Sequence, residues 1–82
     1  MDTHSRNTEP GDGGGSSAAQ AVIVDSVAAE YAWMRRHCPG FRLQQQVLQR
    51  INGKPHDVHI LRNAEGEERT VYFDISEFYG KV

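Results

Sequence analysis

The hydrophobic positions of this chain change from a helical period to a period of two. Ile23, Val27, Tyr31 and Met34 follow one another at spacings of three or four residues, which indicates one face of an amphipathic helix. Pro39 disfavours helical backbone in the residue before it, so the helix is expected to end there. Beyond this proline, apolar and polar residues alternate, which is typical of strands with one face in a core.

The predicted helix has two candidate starting points. Ser17 and Gln20 have the spacing of a capping box, in which a hydroxyl and an amide side chain satisfy free backbone N–H groups. Asp25 would instead cap a shorter helix that ends at His37. Basic residues in the last turn suit the negative end of the helix dipole in either case.

Three alternating segments follow the helix. Asn52-Gly53 separates the first two and is a strong hairpin signal, and Gly66 lies in the second turn. Ser76 is placed to cap a final turn. The sequence therefore predicts an α+β fold in which one N-terminal helix packs on a three-stranded antiparallel meander, in the order α-β-β-β, with a short C-terminal helical turn.

The two turns also predict how the strands pair. The first turn would place Gln46 opposite His59, and a second turn centred on Glu65-Gly66 would place His59 opposite Tyr72 and Asp57 opposite Asp74. In this register the helix covers an apolar set of strand residues: Phe41, Leu43, Val47, Val58, Ile60, Val71 and Phe73.

Composition divides the chain into a tail and one small domain. Residues 1–17 are rich in glycine and polar residues and are predicted to be disordered, whereas residues 18–82 form a single α+β domain. The chain has 38% hydrophobic and 24% charged residues, as ordinary globular proteins do. Its apolar runs are too short to span a membrane. Cys38 is the only cysteine, so no internal disulfide forms, and we expect a cytoplasmic protein.

The charge balance gives little support to nucleic-acid binding. Residues 20–82 carry eight basic and eight acidic side chains, whereas binding to phosphates usually needs a basic excess. The weakest of three functional interpretations is therefore a nucleic-acid contact through Arg35, Arg36 and Arg42, near the end of the helix.

The leading interpretation is a non-enzymatic protein-interaction or regulatory module. The predicted register leaves Leu48, His59, Leu61 and Tyr72 on the sheet face away from the helix, where they would bind a protein partner or a second copy of the chain. Catalysis is not predicted, because Cys38 follows a helix C-terminus, which disfavours a thiolate, and is expected at the edge of the core. No sequence motif predicts a cofactor.

A metal site is the alternative interpretation. Asp57 and Asp74 would lie directly opposite each other in the predicted register, and like charges in that position repel. A divalent cation would relieve the repulsion. Asp57, His59 and Asp74 would supply two carboxylates and an imidazole as its ligands.

Overall fold

One helix lies against a four-stranded mixed sheet in the computed structural model, which describes residues 14–80. The sheet has the order β1-β4-β3-β2, in which β1 runs parallel to β4 and the other neighbours are antiparallel. The elements in chain order are a 3-10 turn at Ala18–Gln20, β1 at Val22–Ile23, α1 at Val27–His37, β2 at Arg42–Ile51, β3 at Lys54–Arg62 and β4 at Glu68–Asp74.

The predicted three-stranded antiparallel meander is wrong, because a short strand precedes the helix and makes the order β-α-β-β-β. Val22 pairs with Phe73, which places β1 at the edge of the sheet beside β4. The sequence Val22-Ile23-Val24 favours extended backbone because its side chains branch at Cβ. Ser17 makes no capping hydrogen bond with its side chain, so the longer helix does not form.

The shorter of the two predicted helices is the one observed. Ser26, next to the predicted cap, accepts a hydrogen bond from the backbone N–H of Ala29 at 3.1 Å. The helix ends at His37, as predicted. Met34 faces the sheet as predicted, but the other buried residue of the helix is Glu30, which the predicted face did not include. The predicted apolar face is largely exposed: Ile23 at 66%, Val27 at 52% and Tyr31 at 39%.

The hairpin between β2 and β3 is confirmed. Asn52 and Gly53 both have positive φ, 51° and 79°, as the type I′ turn of a two-residue hairpin requires. Gln46 lies opposite His59, and Leu48 opposite Asp57, as expected from the turn.

The predicted register between β3 and β4 is wrong by one residue. His59 lies opposite Val71, and Asp57 lies opposite Phe73. The connecting loop has five residues, 63–67, because the Asn63 side-chain oxygen accepts hydrogen bonds from the backbone N–H groups of residues 65 and 67, at 3.0 and 2.8 Å. An odd loop length moves every pairing beyond it by one position.

This shift exchanges the two faces of β3. The helix packs over the face that carries Asp57, His59 and Leu61, whereas Val58 and Ile60 lie on the opposite face. The hydrophobic core lies between the sheet and the helix and contains Val22, Val24, Met34, Cys38, Leu61, Val71, Phe73 and Ile75, with Ala29, Trp33, Phe41, Leu43 and Phe78 packed against it.

The segments at the two ends of the described chain are both held by backbone hydrogen bonds. Residues 1–13 of the predicted tail lie outside the described residues. Gly15 is described, and its carbonyl accepts a hydrogen bond from the Tyr72 N–H at 2.8 Å. After β4, the N–H groups of Phe78 and Tyr79 donate to the carbonyl of Ile75, which closes one turn. None of the helices within residues 14–80 has the length and apolar character that crossing a membrane requires.

Candidate metal centre

Three ionisable side chains are buried together between the helix and the sheet. Glu30 comes from α1, and Asp57 and His59 come from β3. Residues two apart on a strand point to the same face, so both β3 side chains are directed toward the helix. Glu30 lies one turn before Met34, on the side of the helix that faces the sheet. Glu30 and His59 are completely buried, and Asp57 is 7% exposed.

The polar atoms of this Glu30–Asp57–His59 cluster converge. His59 Nε2 lies 3.3 Å from Glu30 Oε1 and 3.6 Å from Asp57 Oδ2. One donor atom from each residue can be chosen so that all three lie within 4.8 Å of one another. Within residues 14–80, neither carboxylate oxygen of Glu30 nor Nε2 of His59 has a hydrogen-bond partner. Buried polar atoms nearly always have one, so this cluster calls for an explanation.

Neighbouring side chains hold the cluster in place. The Gln46 amide donates to both carboxylate oxygens of Asp57, at 3.0 and 2.9 Å. His59 Nδ1 lies 3.2 Å from the thioether sulfur of Met34, and the imidazole packs edge-on against the Phe73 ring with centroids 5.0 Å apart. These contacts leave Nε2 as the histidine nitrogen directed at the two carboxylates, which is the orientation a metal ligand needs.

Burial makes the Glu30 carboxylate costly to ionise. Desolvation raises its pKa above the usual 4.5, the His59 imidazole 3.3 Å away lowers it, and the neighbouring Asp57 raises it further. Two carboxylates side by side in a water-poor interior need a compensating positive charge. That charge comes from protons on the cluster or from a bound cation.

The two donor separations from His59 Nε2 are compatible with a metal ion of the first transition series, and all three donors lie within 4.8 Å of one another. Ligand bonds of about 2.1 Å place neighbouring donors about 3.0 Å apart in octahedral geometry and about 3.4 Å apart in tetrahedral geometry. The separations from His59 Nε2, 3.3 Å to Glu30 and 3.6 Å to Asp57, are close to these values. One imidazole nitrogen with carboxylate oxygens is a donor set that zinc, manganese and iron accept.

The structure brings together two of the three residues predicted to bind metal. Asp57 and His59 lie in the cluster, whereas Asp74 lies on the opposite face of the sheet, across from His56. Asp74 accepts hydrogen bonds from the backbone N–H and the hydroxyl of Ser76. Glu30 is the third member of the cluster, where Asp74 was predicted. The sequence indicates its inward orientation only by its spacing, four residues before the apolar Met34 on the helix.

The predicted partner-binding residues do not share one exposed surface. The register shift buries His59 and Leu61, which are 0% and 1% exposed. Leu48 is exposed, but Tyr72 lies on the other face of the sheet, opposite Val58. Partner binding by these four residues stays a prediction, and the structure gives it no common surface.

The three arginines predicted to contact nucleic acid are all exposed. Arg35 and Arg36 lie in the last turn of α1, and Arg42 is the first residue of β2. Cys38 lies between them in sequence but is only 3% exposed and belongs to the core, as expected. Burial raises the pKa of its thiol, and the nearby charge of Arg69 partly opposes this.

Comparison with known proteins gives this chain no relative. No protein-family model, curated protein or solved structure matches it.

Proposed function

We propose that this chain is a small metal-binding domain that holds one divalent transition-metal ion between α1 and β3. Glu30, Asp57 and His59 are its ligands. The observation that carries the proposal is the convergence of three buried donor groups. Within residues 14–80, the Glu30 carboxylate oxygens and His59 Nε2 find no hydrogen-bond partner. Lone pairs left free in a protein interior are what a cation would use.

Charge balance supports a cation with two positive charges. The two carboxylates of Glu30 and Asp57 carry two negative charges when ionised, and the nearest basic group is the His59 imidazole, whose Nε2 is itself a donor atom. A divalent ion neutralises the pair and bonds to the imidazole in its neutral form. Protons compete with the ion for this site, because protonation of the imidazole uses the same Nε2 lone pair that the ion would bond.

The ligand types favour zinc over the alkaline-earth ions. Calcium usually takes six to eight oxygen ligands, and magnesium keeps much of its water shell, so neither matches a compact site with an imidazole. Affinities for divalent ions at nitrogen and oxygen sites rise from manganese to copper, and zinc follows copper but binds more tightly than manganese. We therefore expect zinc to bind more tightly than manganese, and both to bind more tightly than magnesium or calcium.

The position of the ligands gives the ion a role in stability. Glu30 belongs to the helix, and the other two ligands belong to the central strand β3, so the ion would connect the two layers of the domain. Because the ion binds the folded chain, the free energy of unfolding rises with its concentration. Three protein ligands leave a tetrahedral ion one position for water or a further ligand.

The test is a titration of metal-free protein with zinc, followed by calorimetry and by thermal unfolding. We expect one ion per chain and a higher melting temperature, because the folded state binds the ion. His59→Asn removes the only nitrogen ligand and should abolish both effects. Asp74→Asn is the matched control, since Asp74 lies on the opposite face of the sheet. Its melting temperature should rise on zinc addition as much as that of the wild type.

Three outcomes would reject the proposal. One is a zinc response in His59→Asn equal to that of the wild type, which would place the ion elsewhere. Another is the absence of saturable zinc, manganese or iron binding by the wild-type chain at neutral pH. A zinc response lost in Asp74→Asn and kept in His59→Asn would also reject this ligand set.

A further inference from the structure

A pair of arginines lies at the end of the sheet where β2 begins and β3 ends. Arg42 and Arg62 are directly opposite each other, and both are exposed. Like charges in this position are destabilising unless something compensates them. Arg62 also forms an ion pair at 3.5 Å with Glu68, the first residue of β4. Both side chains are exposed, and exposed ion pairs contribute little to stability. The Arg42 guanidinium makes no ion pair or hydrogen bond with any residue in 14–80.

The two arginines line a cavity of about 320 Å³. A β-bulge shapes it: the pairing passes from Leu43 opposite Leu61 to Gln45 opposite Ile60, so Gln44 has no partner across the strand. Bulges redirect side chains and are frequent beside binding sites. The cavity is lined by Gly40, Arg42, Gln44, Arg62, Asn63 and Ala64.

The lining of this cavity provides donors and no carboxylate. The Arg42 guanidinium and the Gln44 amide can donate hydrogen bonds, and Arg62, which already donates to the Gly66 carbonyl at 3.2 Å, keeps further N–H groups. The Asn63 side chain is engaged within its own loop, where its amide donates to Glu67 and its oxygen accepts from the backbone. An anion placed between the two guanidinium groups would remove their mutual repulsion and gain hydrogen bonds from both.

We propose that Arg42 and Arg62 form a binding site for a phosphate group. Guanidinium groups match phosphate oxygens with paired hydrogen bonds, and a phosphate carries enough charge to balance two arginines. The phosphate could be free, or it could belong to the backbone of a single-stranded nucleic acid, and the chemistry of recognition is the same. Arg35 and Arg36, on the last turn of α1, are not needed for this site. It uses none of the residues of the Glu30–Asp57–His59 cluster.

The test follows backbone and arginine side-chain NMR signals while inorganic phosphate is added at constant ionic strength. We expect saturable shifts at Arg42, Arg62 and Gln44. Arg42→Gln and Arg62→Gln should each weaken binding about tenfold, because each removes one charge-assisted contact. Arg50→Gln is the matched control: Arg50 is an exposed arginine of the same strand whose guanidinium donates to the Gly53 carbonyl. Its affinity should stay within about twofold of the wild type.

A second titration with a single-stranded oligonucleotide identifies the source of the phosphate. A nucleic-acid backbone is identified if the oligonucleotide binds more tightly than free phosphate. In that case the slope of log affinity against log salt concentration should also become shallower by about one in each arginine variant. Binding no tighter than that of free phosphate identifies a small phosphorylated ligand. The proposal fails if phosphate causes no saturable shift, or if Arg50→Gln weakens binding as much as Arg42→Gln does.

Discussion

Asp57 and Asp74 are both buried and belong to adjacent cross-strand pairs of β3 and β4, but one faces other ionisable groups and the other accepts hydrogen bonds from its neighbours. Burial by itself raises the pKa of Asp74. Hydrogen bonds from the side chain and backbone of Ser76, together with the charges of His56 and Lys54, outweigh burial and hold the pKa below the usual 3.8. Asp74 is therefore a satisfied structural carboxylate. Asp57 faces a second carboxylate and an imidazole, which is the setting of a cation site.

The lowered pKa of Asp74 predicts how Asp74→Asn changes with pH. A carboxyl whose folded pKa is lowered contributes stability above its unfolded pKa, and that contribution is lost as the pH falls through the folded value. At pH 7 the variant should be less stable than the wild type by about 1 kcal/mol, since weaker neutral hydrogen bonds replace charged ones. The difference should shrink as the pH falls below 3.8. Urea unfolding of both proteins across this range measures it, and a difference independent of pH would contradict the assignment.

At the scale of elements, the segment before β1 continues the edge of the sheet. Gly15 donates from its N–H to the Gln20 carbonyl at 2.6 Å and accepts from the Tyr72 N–H at 2.8 Å. Its φ is +80°, a conformation that side chains with a Cβ rarely adopt. A Cβ at this position would lie 2.9 Å from Val71 Cγ1 and 3.1 Å from Val22 Cγ2. The position therefore requires glycine for both backbone and packing reasons.

Gly15→Ala should lower the free energy of unfolding by about 2 kcal/mol, because strain at positive φ adds to overpacking against the core. Gly40→Ala is the control, with a similar φ of +85° and nothing within 4 Å of the added Cβ. It should cost about 1 kcal/mol, from the backbone alone. Chemical denaturation of the three proteins gives both values. Equal losses in the two variants would show that contact with Val71 contributes nothing.

Local signals in the sequence predicted some pairings and missed others for a physical reason. The Asn52-Gly53 turn determines its own register, because two residues with positive φ fix a two-residue hairpin. The loop between β3 and β4 depends on the Asn63 side chain, which adds a residue by binding two backbone N–H groups. Alternation could not correct this error, because either face of β3 offers apolar residues: Val58 and Ile60 on one, Leu61 on the other.

The same limit explains why the candidate site was only partly predictable. Asp57 and His59 are two residues apart on a strand, so their shared face follows from the sequence. Glu30 joins them from another element, and a hydrophobic pattern assigns a glutamate to the solvent side of a helix. The observed helix turns this glutamate inward and leaves Tyr31 39% exposed. Residues that break the pattern in this way are expected at functional or strained sites.

At the scale of the whole molecule, the cluster lies where a small domain would otherwise place apolar side chains. Domains of this size bury a limited share of their surface and are only marginally stable. Burying Glu30, Asp57 and His59 instead of hydrocarbon lowers stability unless the charges are compensated. A bound ion would supply that compensation and connect helix to sheet. The proposed function and the stability of the fold would then be coupled through one site.

Glu30→Gln tests this coupling, because the amide keeps the shape of the side chain and removes its charge. Without metal, the variant should be more stable than the wild type by about 1 kcal/mol, since a buried carboxylate next to Asp57 is no longer present. With zinc at about one hundred times its dissociation constant, the wild type should gain about 2.7 kcal/mol and the variant little. The order of stabilities should thus reverse when zinc is added. Urea unfolding of both proteins, with and without zinc, measures the reversal. If the metal-free variant were instead the less stable protein, the Glu30 carboxylate would be a structural partner of His59, and the case for an ion at this site would be lost.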